Sequence, residues 1–216
     1  KTQGVFQLES AGMTGVCVNM RAGSIEDITA IVALYRPGPM DSIPTFIANK
    51  LDPRKVRYKT PMLEPILKVT YGCIVYQEQV MQIVQVLAGF SLGQADLLRR
   101  AMGKKKLDVM AKEREIFIHG QVDENGNIIV PGCVRNGIDE KSANKIFDEM
   151  AEFAKYAFNK SHAAAYAVVS YQTAYFKYYY PVEFMAALMT SVIDNPGKVA
   201  EYTMVCRSMG ITILPP

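Results

Sequence analysis

The chain contains no tryptophan, two histidines and four cysteines among its 216 residues. The cysteines, Cys17, Cys73, Cys133 and Cys206, are far apart and form no CxxC pair, which argues against a structural zinc site and against a dense disulfide framework. Scattered cysteines are typical of small buried side chains in a reducing compartment, so we expect a cytoplasmic protein.

Long apolar runs are also missing. Charged residues or glycines interrupt each run well short of the roughly 18 residues that a membrane span needs, so we expect no transmembrane helix and no membrane partner. Half of the residues are hydrophobic and the net charge is only +3, so the chain can bury a core, and any contact with a polyanion must come from a local patch. The sequence begins without methionine and ends in an apolar run, and we expect a piece of a longer protein.

The basic charge is concentrated in one short segment. Five of the eight side chains at 99–106 are cationic, and Gly103 lies among them, where a glycine can end a helix or bring backbone close to a ligand. Arginine binds phosphate oxygens through a bidentate fork, and lysine binds them as a point charge. The cluster therefore fits a polyphosphate site, but it fits a solvated charged turn between two helices equally well.

A second polar cluster lies at residues 159–162, where Asn-Lys-Ser-His stands between Phe158 and a run of alanines. Four polar side chains are costly to bury unless they are paired, and the amino end of the helix expected there attracts anions. An N-cap role for Ser161 would explain only one of the four. This context favours His162 over His119 as a residue with a chemical role.

Four tyrosines, Tyr156, Tyr166, Tyr171 and Tyr175, lie near this cluster in the sequence. Aromatic side chains beside a basic groove can stack on nucleobases. At helical spacing they serve more often as core residues or as support for a site, and the spacing alone leaves both interpretations open.

Carboxylates are plentiful but poorly arranged for metal catalysis. Two-metal phosphoryl transfer needs carboxylates that converge on the ions, whereas Glu113 and Glu115 point to different faces of a predicted helix, as do Asp148 and Glu149. The chain has no Asp-x-Asp, no Walker-type glycine loop and no GxGxxG. We therefore expect a phosphate-binding surface without a metal site.

Helical signals dominate the chain. Side chains suited to N-caps or capping boxes precede several segments with helical periodicity, and they predict helix starts at Ser10, Ser24–Asp27, Ser91–Gln94 and Asp139. The first helix is expected to run to about Met20 and to be closed by Gly23. The clearest apolar stripe runs from Gln77 to Ala88, with i, i+3, i+4, i+7 spacing at Val80, Ile83, Val84 and Leu87.

Other segments carry more specific predictions. A turn signal at Asp123–Asn127 predicts a β-hairpin within 119–134. A long helix is expected over 163–179, and Pro181 is expected to begin a nearly all-apolar helix at the centre of the core. The β-prone run Tyr71–Tyr76 is too short for its pattern to assign.

Several of these segments together resemble the alpha-subunit family of bacterial DNA polymerase III, the C-family replicative polymerases. They occur in family order and extend over nearly the whole chain. The matching stretches are Gly4–Ser10, Ala33–Pro39, Tyr71–Gly72 with Tyr76–Gln82, Ala95–Lys105, Phe158–Tyr166 and Tyr180–Ala187.

The resemblance implies a mainly α fold, a multi-helix fingers domain with a small β-hairpin insertion. It implies that residues 1–60 form a helical segment that connects the palm to the fingers. Residues 61–193 would form the helical fingers core with the hairpin at 119–134, and residues 194–216 a C-terminal helix and exit segment.

The resemblance also implies a function. The chain would be the fingers region of a DNA-directed DNA polymerase, a nucleotidyltransferase, and would bind the triphosphate of the incoming dNTP and help to position primer-template DNA. The catalytic aspartates that hold Mg²⁺ lie in the family's palm, so the fragment should bind no metal itself and be inactive alone. Its partners would be dNTP, primer-template DNA, the palm and other domains of the same chain, and, through regions outside this fragment, replisome subunits such as the sliding clamp.

The family's triphosphate-facing residues can be carried over by motif. One wall would come from the basic cluster and the other from the second polar cluster, with Tyr156 near the base or sugar. His162 could donate a hydrogen bond or a proton to the leaving pyrophosphate. The nucleotide-binding residues so implied are Arg99, Arg100, Lys104, Lys105, Tyr156, Asn159, Lys160, Ser161 and His162.

Two alternatives remain open at this point. The chain could be a helical nucleic-acid-binding module without a catalytic role, using the same basic cluster against backbone phosphates. It could also be a purely structural helical domain.

Overall fold

A computed structural model describes residues 2–104, 107–154 and 156–214. The fold is mainly α-helical with one small antiparallel sheet, as expected from the sequence. The helices are α1 (Ala11–Met20), α2 (Ile25–Leu34), α3 (Ile43–Leu51), α4 (Glu64–Leu67), α5 (Gln77–Ala88), α6 (Leu92–Gly103), α7 (Leu107–His119), α8 (Gly132–Arg135), α9 (Glu140–Ala154), α10 (Lys160–Tyr179), α11 (Pro181–Ser191) and α12 (Pro196–Ser208). Short 3-10 turns lie at Pro39–Ser42, Pro53–Lys55, Pro61–Leu63 and Lys68–Thr70.

The chain forms two compact units. The larger unit is Ala33–Ala163, and the smaller unit combines the described residues up to Val32 with those from Ala164 onward. The resemblance implies three functional ranges, 1–60, 61–193 and 194–216. A division into compact units does not test functional roles, so these ranges stay a prediction. Within the described residues, no helix has both the length and the apolar content that crossing a bilayer requires.

The larger unit is built around α5. Its predicted stripe, Val80, Ile83, Val84 and Leu87, is fully buried, and α4, α6, α7, α8 and α9 pack around this helix. A continuous apolar stripe of this kind removes one whole face of a helix from water, which is the main source of its stability in a folded protein. The periodicity therefore predicted the helix and its apolar face correctly.

The predicted hairpin is present within the same unit. Strands β1 (Gln121–Val122) and β2 (Ile128–Val130) pair antiparallel. The Asp123 Oδ1 atom accepts hydrogen bonds from the backbone N–H of Asn125 at 2.9 Å and of Asn127 at 2.7 Å, and Gly126 has a φ of 82°. These local bonds close the turn, which is why a short turn signal was enough to predict it.

Most predicted helix starts are confirmed by their caps. Ser91 and Gln94 form a reciprocal capping box, and Ser24 and Asp27 do the same through Ser24 Oγ and Asp27 Oδ2. The first helix ends at Met20, as predicted, but its predicted closure by Gly23 was wrong. The chain leaves α1 at Arg21 in the left-handed region, with a φ of 51°, and the N–H of Arg21 bonds back to the last turn, so Gly23 does not close the helix.

The prediction for the start of α10 needs correction, and the structure assigns the run Tyr71–Tyr76, which the sequence left open. The helix begins at Lys160, three residues before the predicted start, and Asn159 rather than Ser161 caps it, because Asn159 Oδ1 accepts from the His162 N–H at 2.9 Å. The β-prone run contributes one isolated parallel bridge, between Tyr76 and Phe158, and no longer strand.

The prediction that α11 lies at the centre of the core was wrong. Met185 is its only buried residue, and Val182 is 56% exposed. Met185 packs with Tyr202 and Cys206 of α12 in a small cluster. The helix therefore buries one narrow face against α12. Because apolar residues lie on nearly all of its faces, the sequence did not indicate which face would pack against another helix.

In the smaller unit, side chains of α10 form hydrogen bonds with the backbone of the amino-terminal residues. The Phe6 carbonyl accepts a hydrogen bond from Ser170 Oγ at 2.8 Å, and the Phe6 N–H donates to Thr173 Oγ1 at 3.0 Å. Lys177 Nζ donates to the Gln3 carbonyl. These polar side chains on α10 replace the strand or helix partners that an irregular segment would otherwise lack.

One buried amide organises the start of α5. Gln79 Oε1 accepts hydrogen bonds from the backbone N–H groups of Val75 at 2.8 Å and Tyr76 at 3.0 Å. Its Nε2 donates to Thr70 Oγ1 at 2.8 Å and to the Ile66 carbonyl at 3.3 Å. The side chain is 4% exposed, so water cannot replace these partners.

We expect Gln79→Leu to lower the free energy of unfolding by about 3 kcal/mol, because it leaves several buried polar groups without partners. Gln82→Leu, the same change at an exposed position of the same helix, is the matched control and should change stability by less than about 0.5 kcal/mol. Urea denaturation followed by circular dichroism measures both. Equal losses in the two variants would contradict the role of the amide.

Candidate functional site

The basic cluster lies at the carboxyl end of α6, where two arginines share one carboxylate. Arg99 Nη2 lies 2.7 Å from Asp96 Oδ1, and Arg100 Nη2 lies 2.7 Å from Asp96 Oδ2. Two cations and one anion leave this group with one net positive charge. The Arg99 side chain is 25% exposed and the Arg100 side chain 63% exposed, so Arg100 is the more accessible of the two.

The rest of the basic cluster is only partly described. Lys104 is exposed and caps α6, its N–H donating to the Arg100 carbonyl at 3.1 Å. Lys105, which the resemblance also assigns to nucleotide binding, lies outside the described residues. The described part of the cluster therefore consists of Arg99, Arg100 and Lys104.

The second polar cluster forms the cap and first turn of α10. Its four members are exposed, so the burial cost that suggested mutual pairing does not arise. Instead, Asn159 Nδ2 donates to Glu78 Oε1 at 2.8 Å, and the Lys160 N–H lies 3.2 and 3.1 Å from the two Glu78 carboxylate oxygens. The His162 ring packs edge-on against Phe158 at a centroid distance of 5.3 Å, and Ser161 is exposed beside it.

The two clusters meet at the first turn of α5. Arg99 Nη1 donates to Gln77 Oε1 at 3.2 Å, and the Gln77 N–H donates to the Phe158 carbonyl at 3.0 Å. Lys160 Nζ lies 5.4 Å from the centre of the Tyr76 ring. Residues 76–78 thus contact both clusters, and this junction is the candidate functional site.

Sequence reasoning missed the connecting residues Gln77, Glu78 and Asp96. The stretch Tyr76–Gln82 carries part of the family resemblance, which was the available signal, but its polar members received no site role. The importance of Gln77 and Glu78 depends on contacts with distant parts of the chain, which have no local signature. Asp96 is different, because it pairs with arginines three and four positions later, a helical spacing that the sequence displays.

Arg36 is a further residue that sequence reasoning did not assign to the site. Its Nη2 donates to the Tyr156 carbonyl at 2.8 Å, its Nε donates to the Ala33 carbonyl at 2.9 Å, and its guanidinium lies 4.1 Å from the centre of the Phe158 ring. Burial lowers the pKa of Arg36, but a guanidinium stays cationic near neutral pH. Arg36 therefore holds the segment just before α10 in place through its contacts with Tyr156 and Phe158.

Tyr156 is 44% exposed and packs against Gly38, where an added Cβ would lie 2.6 Å from the ring. It also lines a cleft of about 480 Å³. The carboxylates of Asp41, Glu149 and Glu152 line the same cleft and would repel a polyphosphate. The cleft is therefore not assigned to the phosphates.

The other tyrosines belong to the smaller unit. Tyr166 packs against Phe6 at a centroid distance of 5.3 Å, whereas Tyr171 and Tyr175 are exposed. Of the four tyrosines near the second cluster in sequence, Tyr156 is the one in the unit that contains the candidate functional site. Within residues 2–104, 107–154 and 156–214, no group of three or more His, Cys, Asp or Glu side chains could hold a metal ion.

Asp96 should titrate abnormally. Hydrogen bonds from Arg99, the largest cause, and from Arg100 lower the pKa of its carboxyl group. Because the pKa is lower in the folded than in the unfolded chain, the stabilisation is present above the unfolded value of about 3.9 and is lost as the pH falls through the lower folded value.

A pH titration of the Asp96 side-chain carboxyl by NMR should give a midpoint below about 3.9. Arg99→Gln should raise that midpoint more than Arg100→Gln does. Asp139, whose pKa is lowered by hydrogen bonds from Ser142 instead, serves as the internal control and should not move in either variant. An Asp96 midpoint insensitive to both substitutions would contradict the shared ion pair.

Comparison with known proteins supports a specific family. A family model described as the bacterial DNA polymerase III alpha subunit finger domain matches residues 1–125. Proteins named DNA polymerase III subunit alpha are similar over the whole chain: 50% identical in Thermus aquaticus, and 51% identical in Chlamydia trachomatis and in Caulobacter vibrioides. The chain spans 17%, 16% and 18% of the length of these three relatives, respectively.

Proposed function

The chain belongs to the family of the bacterial DNA polymerase III alpha subunit finger domain, and from that membership we propose that it binds the triphosphate of an incoming deoxynucleotide. The observation that supports this most directly is the junction at residues 76–78. It brings the cationic end of α6 and the first turn of α10 into contact with one turn of α5. Two polar clusters that are distant in sequence thereby become neighbours.

The proposed chemistry is positioning and charge neutralisation. Phosphoryl transfer requires stabilisation of the negative charge that develops on the leaving phosphates. Arg99 and Arg100 remain cationic at neutral pH, and Arg100 is exposed enough to form a bidentate contact with phosphate oxygens. Lys104, Lys105 and Lys160 add point charges, and Asn159, Ser161 and His162 add hydrogen-bond donors, with His162 nearest the leaving pyrophosphate.

The activity of the whole protein is part of the proposal, because this chain covers less than a fifth of each relative cited. We propose that the full-length subunit is a cytoplasmic DNA-directed DNA polymerase. This region would help to position primer-template DNA, with Tyr156 near the base or sugar. By the family resemblance we assign Mg²⁺ to palm residues outside this chain and expect the isolated chain to be inactive.

In the full-length subunit, Arg100→Ala should raise the apparent KM for dNTP in primer extension about tenfold to a hundredfold, because it removes a charge-assisted contact to phosphate. Arg54→Ala is the matched control, since Arg54 is also exposed and paired with an aspartate, Asp52, but lies outside the candidate functional site. Steady-state single-nucleotide insertion measures the KM. An unchanged KM in Arg100→Ala would overturn the assigned role.

The isolated chain should bind duplex DNA weakly and with a shallow salt dependence, because a triphosphate pocket contacts few backbone phosphates. A module that neutralises six or more phosphates loses roughly a thousandfold in affinity between about 50 and 200 mM salt. Fluorescence anisotropy with a labelled duplex over that range separates the two cases. Tight binding with a steep salt slope would favour the nucleic-acid-binding module instead.

A further inference from the structure

Glu78 joins α5 to the start of α10. Its carboxylate accepts hydrogen bonds from the Asn159 side-chain amide at 2.8 Å and from the Lys160 backbone N–H at 3.1 and 3.2 Å. Residues 78 and 159 are 81 positions apart in the chain, so this contact is purely tertiary. Among the described side chains, Glu78 is the one that accepts a hydrogen bond from the Lys160 N–H.

The cap of α10 does not itself require Glu78. Asn159 Oδ1 already accepts from the His162 N–H, which is the standard N-cap bond to the third residue of the helix. What Glu78 adds is the attachment of this cap to the first turn of α5. Removing it would therefore free the position of the cap more than it would unwind the helix.

The neighbouring side chain makes the equivalent attachment to the other cluster. Gln77 Oε1 accepts from Arg99 Nη1 at 3.2 Å. Two consecutive residues of α5 thus contact the two clusters separately, one through an amide and one through a carboxylate. Gln77 and Glu78 lie on the same turn of α5, so the distance between the two clusters depends on the position of this turn.

We propose that Glu78 is a positioning residue for the nucleotide site, a proposal that rests on the proposed function. Its carboxylate holds Asn159 and Lys160 in place beside Gln77, which in turn contacts Arg99. Glu78 does not itself contact the phosphates, since two anions would repel each other. Its contribution is to the placement of donors, and small errors of placement can reduce rates by large factors.

Glu78→Gln in the full-length subunit is the sharpest test. The amide can still accept one hydrogen bond, but its NH₂ group would face the Lys160 N–H or the Asn159 amide donor. We expect kcat/KM for dATP insertion opposite a template thymine to fall about tenfold, with the thermal unfolding midpoint and the affinity for primer-template unchanged. Glu64→Gln, at an exposed first-turn position of α4, is the matched control and should leave all three unchanged.

Amide hydrogen exchange at Lys160 provides a readout that does not depend on catalysis. We expect faster exchange in Glu78→Gln than in Glu64→Gln, because the Lys160 N–H loses its carboxylate acceptor. Unchanged exchange at Lys160, or a fall in the thermal midpoint and in primer-template affinity together with activity, would overturn the positioning role.

Arg100→Ala separates the failure of this proposal from the failure of the proposed function. If Arg100→Ala raises the KM for dATP while Glu78→Gln leaves kcat/KM intact, the nucleotide site stands and the role of Glu78 is refuted. If neither variant affects nucleotide use, the nucleotide site itself is refuted.

Discussion

The buried amide of Gln79 is the interaction on which the rest of the larger unit depends. It satisfies the two backbone N–H groups that precede α5 and connects them to α4 through Ile66 and to the turn after α4 through Thr70. A buried amide with partners on both of its ends specifies one geometry, because any other arrangement leaves polar groups unsatisfied. With that turn held, Gln77 and Glu78 lie where each contacts a different polar cluster.

The electrostatics of the junction follow from this arrangement. Each cluster is matched to a carboxylate, Asp96 beside the arginines and Glu78 beside the first turn of α10. The two acids have different surroundings. Asp96 contacts two guanidinium groups, and the three groups together keep one net positive charge. Glu78 instead accepts hydrogen bonds from the Asn159 side-chain amide and the Lys160 backbone N–H, which are both uncharged. Under the proposed function, the net positive charge of the arginines would attract an arriving phosphate.

Much of the fold could be predicted from the sequence, because its signals are local. The α5 stripe, the capping boxes at Ser24 and Ser91 and the turn after Asp123 all depend on residues within a few positions of one another. The error at α11 occurred where a neighbour from elsewhere in the chain decides the outcome. The α11 helix has apolar residues on all faces, and only packing on α12 determined that Met185 would be the buried one.

The candidate site shows the same division. The sequence alone determined the family resemblance, the helical class and the two polar clusters, since these are properties of contiguous residues. Only the tertiary structure decided that the clusters meet, that Gln77 and Glu78 connect them, and that Arg36 holds the segment before α10 through Tyr156 and Phe158. The reason is physical: Gln77 and Arg99 are 22 positions apart and Glu78 and Asn159 are 81 apart, and contacts over such separations form only when the packing of α5 brings the segments together.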